Sequence, residues 1–219
     1  MNTVKSTRDK KSQTLGMAQV ALFAALIFIL AFTPFIGYIP LGFTRATIIH
    51  IPVIIGCLML GPKKGAILGF CFGLTSLLNN TFNPTATSFV FSPFYELGEI
   101  HGGIGSVIIC FVPRILVGVI PYYVYQGIHR FTKKNTASET VALAVAGLSG
   151  SLTNTLLVMH LIFLFYKDAY ATATNRTSAL VYRFILSVIA MNGIPEAIVA
   201  AILVALACRI LLKTKHALR

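Results

Sequence analysis

The chain has no tryptophan and only six acidic residues in 219. Charged residues make up 11% of it, against about 25% in an ordinary soluble domain. Its two aspartates, Asp9 and Asp168, lie outside the long apolar runs. A membrane-embedded transferase usually needs several Asp or His residues near the bilayer surface, so that class is poorly served. Neither H-E-x-x-H nor G-x-S-x-G occurs, which removes the metalloprotease and hydrolase signatures. The turn G-P-K-K-G at 61–65 lacks the G-x-x-x-x-G-K-[ST] pattern of a nucleotide loop. The chain is therefore not expected to hydrolyse ATP by itself. Four cysteines, Cys57, Cys71, Cys110 and Cys208, sit in apolar runs with no metal-like spacing. They read as small core residues, and no metal or cofactor is expected.

Apolar sequence dominates instead. Hydrophobic residues reach 56% and the mean hydropathy is +0.82. The apolar runs are long and continuous rather than alternating, which indicates helices crossing a bilayer and not a barrel. The expected fold class is an all-α membrane protein with six transmembrane helices, near 17–36, 46–60, 65–78, 104–128, 140–165 and 184–212. A short tail at 1–16 precedes this single domain of 17–212, and a second tail follows at 213–219. The basic start followed by a long apolar run reads as a first span rather than a cleaved leader.

The net charge of +12 does not indicate nucleic-acid binding, because the basic residues cluster between apolar runs. Thirteen Lys and Arg fall in the two tails, at Arg209 in the adjoining end of the sixth span, and in the segments near 63–64 and 130–134, against four (Arg45, Lys167, Arg176 and Arg183) in the other loops. The positive-inside rule then puts both termini in the cytoplasm and the long loop 79–103 outside. That loop carries no Lys or Arg and is rich in Asn, Thr, Ser and aromatics, so it is expected to fold back as a lid. The second span is short and holds Pro52, expected to bend it.

Two charges lie deep in spans. Arg114 is roughly 15 Å and Glu196 roughly 18 Å from the outer ends of their helices at 1.5 Å per residue. Burying either against lipid is costly, so both should face the bundle interior or a cavity. Arg114 could pair with Glu196 and fix how the helices cross, or receive an anionic group of a ligand. Asn192 stacks one turn above Glu196, and Asn154 and His160 lie at compatible depth in the fifth span. The expected cavity has Thr44, Arg45, Asn79, Asn80 and Phe89 as walls and Arg114, Asn154, His160, Asn192 and Glu196 as floor.

The stretch "IPLGFTRATIIHIPVIIGCLMLGPKKGAILGFCFGLTSLLNN" (39–80), with "SFVFSPFY", "FVPRILVG" and "NGIPEAIVAAI", resembles the S component of an energy-coupling factor (ECF) vitamin transporter. The G-P-K-x-G turn and the P-R-I-L-x-G segment look like the pantothenate-type branch. The resemblance implies a six-helix plasma-membrane protein that binds a vitamin from outside. It also implies docking on a transmembrane coupling subunit that carries two cytoplasmic ATPases. The family's A-x-x-x-A docking motif is matched by Ala21 and Ala25, with Ala18 on the same face. Small residues allow helices to approach closely in lipid. Pyridoxine, folate or cobalamin remain alternative cargoes, and a stand-alone secondary transporter is an alternative function. The missing tryptophan counts against branches that stack a thiamin-like ring on that side chain.

Overall fold

The computed structural model describes residues 2–33, 37–41, 44–132, 135–177 and 179–217, with all their side chains except those of 2–12, 39–41, 44–46 and 215–217. The described part is helical apart from two short antiparallel hairpins. Helix α1 (Asn2–Phe32) is apolar from Gln13 onward, and only 17% of that window is buried. It therefore stands at the edge of the bundle. Strands β1 (Tyr38–Leu41) and β2 (Thr44–Thr47) follow, with Tyr38 opposite Thr47. Helix α2 (His50–Leu60) then begins four residues later than expected, because Ala46 and Thr47 belong to β2. Pro52 falls in the first turn of α2, where its missing N–H breaks no helical bond, so it starts the helix rather than bending it. At 11 residues, α2 is about 16 Å long, short of the ~30 Å hydrocarbon layer.

Gly61 (φ 90°) turns the chain into α3 (Pro62–Phe82). Only glycine adopts that backbone without strain. A 3-10 turn (Ser88–Val90) and the hairpin β3 (Glu96–Leu97) with β4 (Ile100–His101) lead to α4 (Ile104–Val117). The expected fourth span is two helices, because the chain breaks at Gly118 and Val119 ahead of Pro121 in the first turn of α5 (Ile120–Phe131). Helix α6 (Thr136–Ala173) is longer than expected and leaves helical geometry at Tyr166 (φ −135°, ψ 26°). The last segment is α7 (Val181–Val188), a π-helical stretch Ile189–Gly193, and α8 (Ile194–Ala217). Pro195 cannot donate and its ring would meet the carbonyl of Met191. Widening the turn to i→i+5 relieves that clash, a frequent use of π geometry.

Five segments are long and apolar enough to cross a membrane: Gln13–Phe32, Pro62–Phe82, Ile104–Phe131, Thr136–Ala173 and Val181–Thr214. Leucines, isoleucines and phenylalanines such as Leu22, Ile29, Phe70, Leu164 and Ile202 are exposed on their outer faces, as lipid contact requires. Inside are two apolar cores. One gathers Ile27, Ile49, Ile54, Leu68, Phe72, Val117 and Val204; the other gathers Phe89, Ile109, Val158, Ile162, Tyr170 and Ile185.

Helices α3 and α4 touch backbone to backbone. Gly65, Gly69 and Gly73 recur every four residues and so share one face of α3. They meet, in reverse order, Gly118 at the end of α4 and Arg114 and Cys110 within it. A Cβ on Gly69 would lie 2.3 Å from the Arg114 carbonyl oxygen, and one on Gly65 would lie 2.0 Å from that of Gly118. Absent side chains permit this approach, the usual route to tight helix packing in lipid. The glycine ladder thus fixes the backbone of α4 at Arg114.

Candidate functional site

A cavity lies where the two cores part, lined by Tyr38, Thr47, Ser76, Asn80, Thr87, Phe91, Arg114, Asn154, Tyr170, Asn192 and Glu196 among others. Its volume is about 90 Å³ for the centre of a water-sized sphere. A single water needs about 10–15 Å³ on that measure, so the space suits a small organic molecule.

Arg114 sits on α4 at 5% exposure. Its Nη1 donates to the Ile109 carbonyl at 2.6 Å and its Nη2 to Ser76 Oγ at 3.5 Å. Its guanidinium carbon lies 5.6 Å from the centre of the Phe72 ring and 5.2 Å from that of Phe91. Both contacts favour a cation. Among the described residues no carboxylate is within ion-pairing distance of it. The expected pair with Glu196 is not formed, although both side chains reach the same cavity. Glu196 Oε1 instead accepts from the backbone N–H of Thr47 at 3.0 Å. The cavity therefore holds a buried positive charge on the α4 side and an acceptor on the α8 side. A lone buried cation is costly, and an arriving anion offsets that cost.

Amides complete the lining. Asn80 is fixed by two bonds: Nδ2 donates to Ser76 O at 2.9 Å, and Oδ1 accepts from Ser88 Oγ at 2.8 Å. Asn154 is buried on α6 and its Oδ1 has no partner among the described residues. Asn192 enters from the π-helical stretch and lines the cavity together with Glu196. The Tyr38 hydroxyl is buried beside Thr75 and Ser76. Burial pushes its pKa up to about 12, partly offset by Arg114, so it stays a neutral donor.

The 83–103 loop closes one side. Its 3-10 turn buries Phe89 completely in the second of the two cores, edge-on to Tyr166 with ring centres 5.8 Å apart, and leaves Phe91 over Arg114. Tyr166, at the irregular point of α6, accepts from the N–H groups of Gly103 and Ser106 at 2.9 and 3.1 Å. Ser106 Oγ donates to the Phe89 carbonyl at 2.6 Å. The α6 irregularity therefore caps α4 and ties down the loop.

Of the residues expected from sequence, Asn80, Arg114, Asn154, Asn192 and Glu196 come together in this cavity. Asn79 points away and donates to Ala31 O at 3.0 Å, holding α1. Phe89 is core rather than wall. His160 is exposed on the outer face of α6, with Nδ1 2.7 Å from Leu156 O. It shares a helix with Asn154, but six residues turn it to another face. The side chains of Thr44 and Arg45 lie outside the described residues. Ala18, Ala21 and Ala25 are all exposed on α1, facing away from its own bundle. Sequence reading missed Ser76, Tyr38, Thr47 and Phe91. Ser76 was available to it, one turn before Asn80 on the same face. The others depend on hairpin and loop geometry.

The model of the ECF transporter substrate-specific component matches residues 16–208. The chain belongs to that family. This S component is 36% identical to the pantothenic acid transporter PanT of Lactococcus lactis subsp. cremoris over 196 residues, which is 89% of this chain and 92% of the relative. It is 28% identical to the pantothenate transporter PanT of Leuconostoc mesenteroides subsp. mesenteroides over 203 residues, 89% and 90% of the two chains. The S component is thus a multi-pass plasma-membrane protein with a transport role, working with an ECF module.

Proposed function

We propose that this S component binds pantothenate from outside and delivers it inward after docking on a coupling subunit with separate ATPases. The observation that carries the reading is Arg114, buried in the cavity with no carboxylate partner among the described residues. Pantothenate brings a carboxylate for that guanidinium, an amide for the asparagines, and hydroxyls that can donate to Glu196. The names of the two relatives point the same way. Six spans, cytoplasmic termini and an outer 79–103 loop put the cavity in the outer half, and the basic clusters support that orientation. The tails at 1–16 and 213–219 then flank one membrane domain, 17–212. Ala18, Ala21 and Ala25 form the docking stripe, because their exposure leaves room for a partner helix.

Direct binding of pantothenate to the purified chain in detergent tests the cargo. Alanine at Asn80, Asn154 or Asn192 should weaken it. Unchanged affinity in all three variants would remove the cavity from the account, and preference for another vitamin would replace the cargo. Ala21→Trp with Ala25→Trp should abolish co-purification with the coupling subunit while leaving vitamin binding intact.

A further inference from the structure

Pro113 stands immediately before Arg114 and is buried inside α4. A proline has no N–H, so the Ile109 carbonyl, four residues back, receives no helical hydrogen bond from position 113. In a membrane helix a carbonyl freed in this way must find another donor. Arg114 provides it. Its Nη1 to Ile109 O distance of 2.6 Å is short, as expected when the donor is charged. To make this bond the side chain doubles back toward the start of its own helix. That fold-back carries it between the Phe72 and Phe91 rings. The Ser76 contact, at 3.5 Å, is too long to hold it alone. Arg114 Nε remains buried without a hydrogen-bond partner among the described residues.

We propose that Pro113 is a positioning residue of the anion site. By withholding an N–H from Ile109 it turns that carbonyl into a mount for the guanidinium, which is then held ready for a ligand carboxylate. The inference rests on the reading that Arg114 receives that carboxylate. Any other residue at 113 would bring an N–H that competes for Ile109 O. Arg114 would regain rotamer freedom, and that freedom would have to be given up again on binding.

The test measures calorimetric binding of pantothenate and of pantothenol, its alcohol analogue, to wild type, Pro113→Ala, Pro113→Ser and Arg114→Gln in detergent, with thermal unfolding alongside. The Pro113 variants should bind pantothenate about three- to ten-fold more weakly, the range expected for re-immobilising one long side chain. Pantothenol affinity should hold, and so should the unfolding temperature, since proline inside a helix is itself unfavourable. A purely structural role would lower both affinities together with the unfolding temperature, and that result overturns the proposal. So does full pantothenate affinity in both Pro113 variants while Arg114→Gln loses it. If Arg114→Gln leaves both ligands unaffected, the carboxylate reading itself falls and takes the proposal with it.

Discussion

Replacing Gly69 by alanine asks α3 and α4 to accept a methyl group where there is no room. The added Cβ would lie 2.3 Å from the Arg114 carbonyl oxygen and 2.8 Å from Ile115 Cα, against ordinary contacts of 3.4 Å or more. Both obstacles are backbone, so no side chain can swing aside. The helices must part by about 1 Å, and a gap of that size forfeits a quarter to a half of each dispersion contact along the seam. Overpacking of this kind costs about 1–3 kcal/mol, and a whole helix pair moving belongs near the top of that range. Alanine's better helix propensity returns about 1 kcal/mol, leaving a net loss of about 2 kcal/mol. For a chain of this size that lowers the unfolding temperature by about 4–8 °C. Gly127 of α5 is the control, because nothing lies within 4 Å of a Cβ placed there. Gly127→Ala should be neutral or up to about 1 kcal/mol more stable. Thermal unfolding in detergent distinguishes the two. Adding Gly65→Ala to Gly69→Ala should cost less than its effect alone, since one methyl has already opened the seam. If Gly69→Ala matches Gly127→Ala in stability, the backbone contact is not what holds the pair, and the placement of Arg114 by the ladder is wrong.

Glu196→Ala strands the Thr47 N–H and should cost about 1–3 kcal/mol, whereas Glu196→Gln keeps the acceptor and should cost well under half of that; unfolding curves compare them. Because Arg114 and Glu196 do not pair, the stabilities of Arg114→Gln and Glu196→Gln should add to within about 0.5 kcal/mol, and strong coupling in that cycle would contradict the geometry. Tyr166→Phe removes the hydroxyl that joins Gly103, Ser106 and the loop. It should cost about 1 kcal/mol and speed proteolysis within 83–103, with unchanged digestion counting against that anchor.

The membrane class and the buried polar set were legible because their signals are one-dimensional. Long apolar runs and lone charges inside them report depth directly, and Asn80, Arg114, Asn154, Asn192 and Glu196 all surface that way. Errors arose where facing decides. His160 matches Asn154 in depth but not in rotation, so it lies outside the cavity. Phe89 and Phe91 are two residues apart, and only the 3-10 turn decides which enters the core. The Arg114–Glu196 pair was plausible by depth alone, but Ile109 O and the Thr47 N–H compete for the two partners locally. Helix breaks at Gly118 and at the π-helical stretch have sequence causes in Pro121 and Pro195. A long hydrophobic run hides them.

The peripheral position of α1 has a consequence for how such a chain can change. Among the described residues, the cavity is lined from the first hairpin, from α3, α4, α6, α7, the π-helical stretch and α8, and from the loop that joins α3 to α4, but by no residue of α1. The exposed alanines and the cavity-lining side chains thus belong to separate elements, joined through contacts such as that of Asn79 with the Ala31 carbonyl. Substitutions that retune the cavity leave the outer edge of α1 as it was, and substitutions along that edge leave the cavity alone. On the proposed roles of cavity and stripe, inheritance could rewrite what is carried while keeping the fitting by which the carrier is recognised.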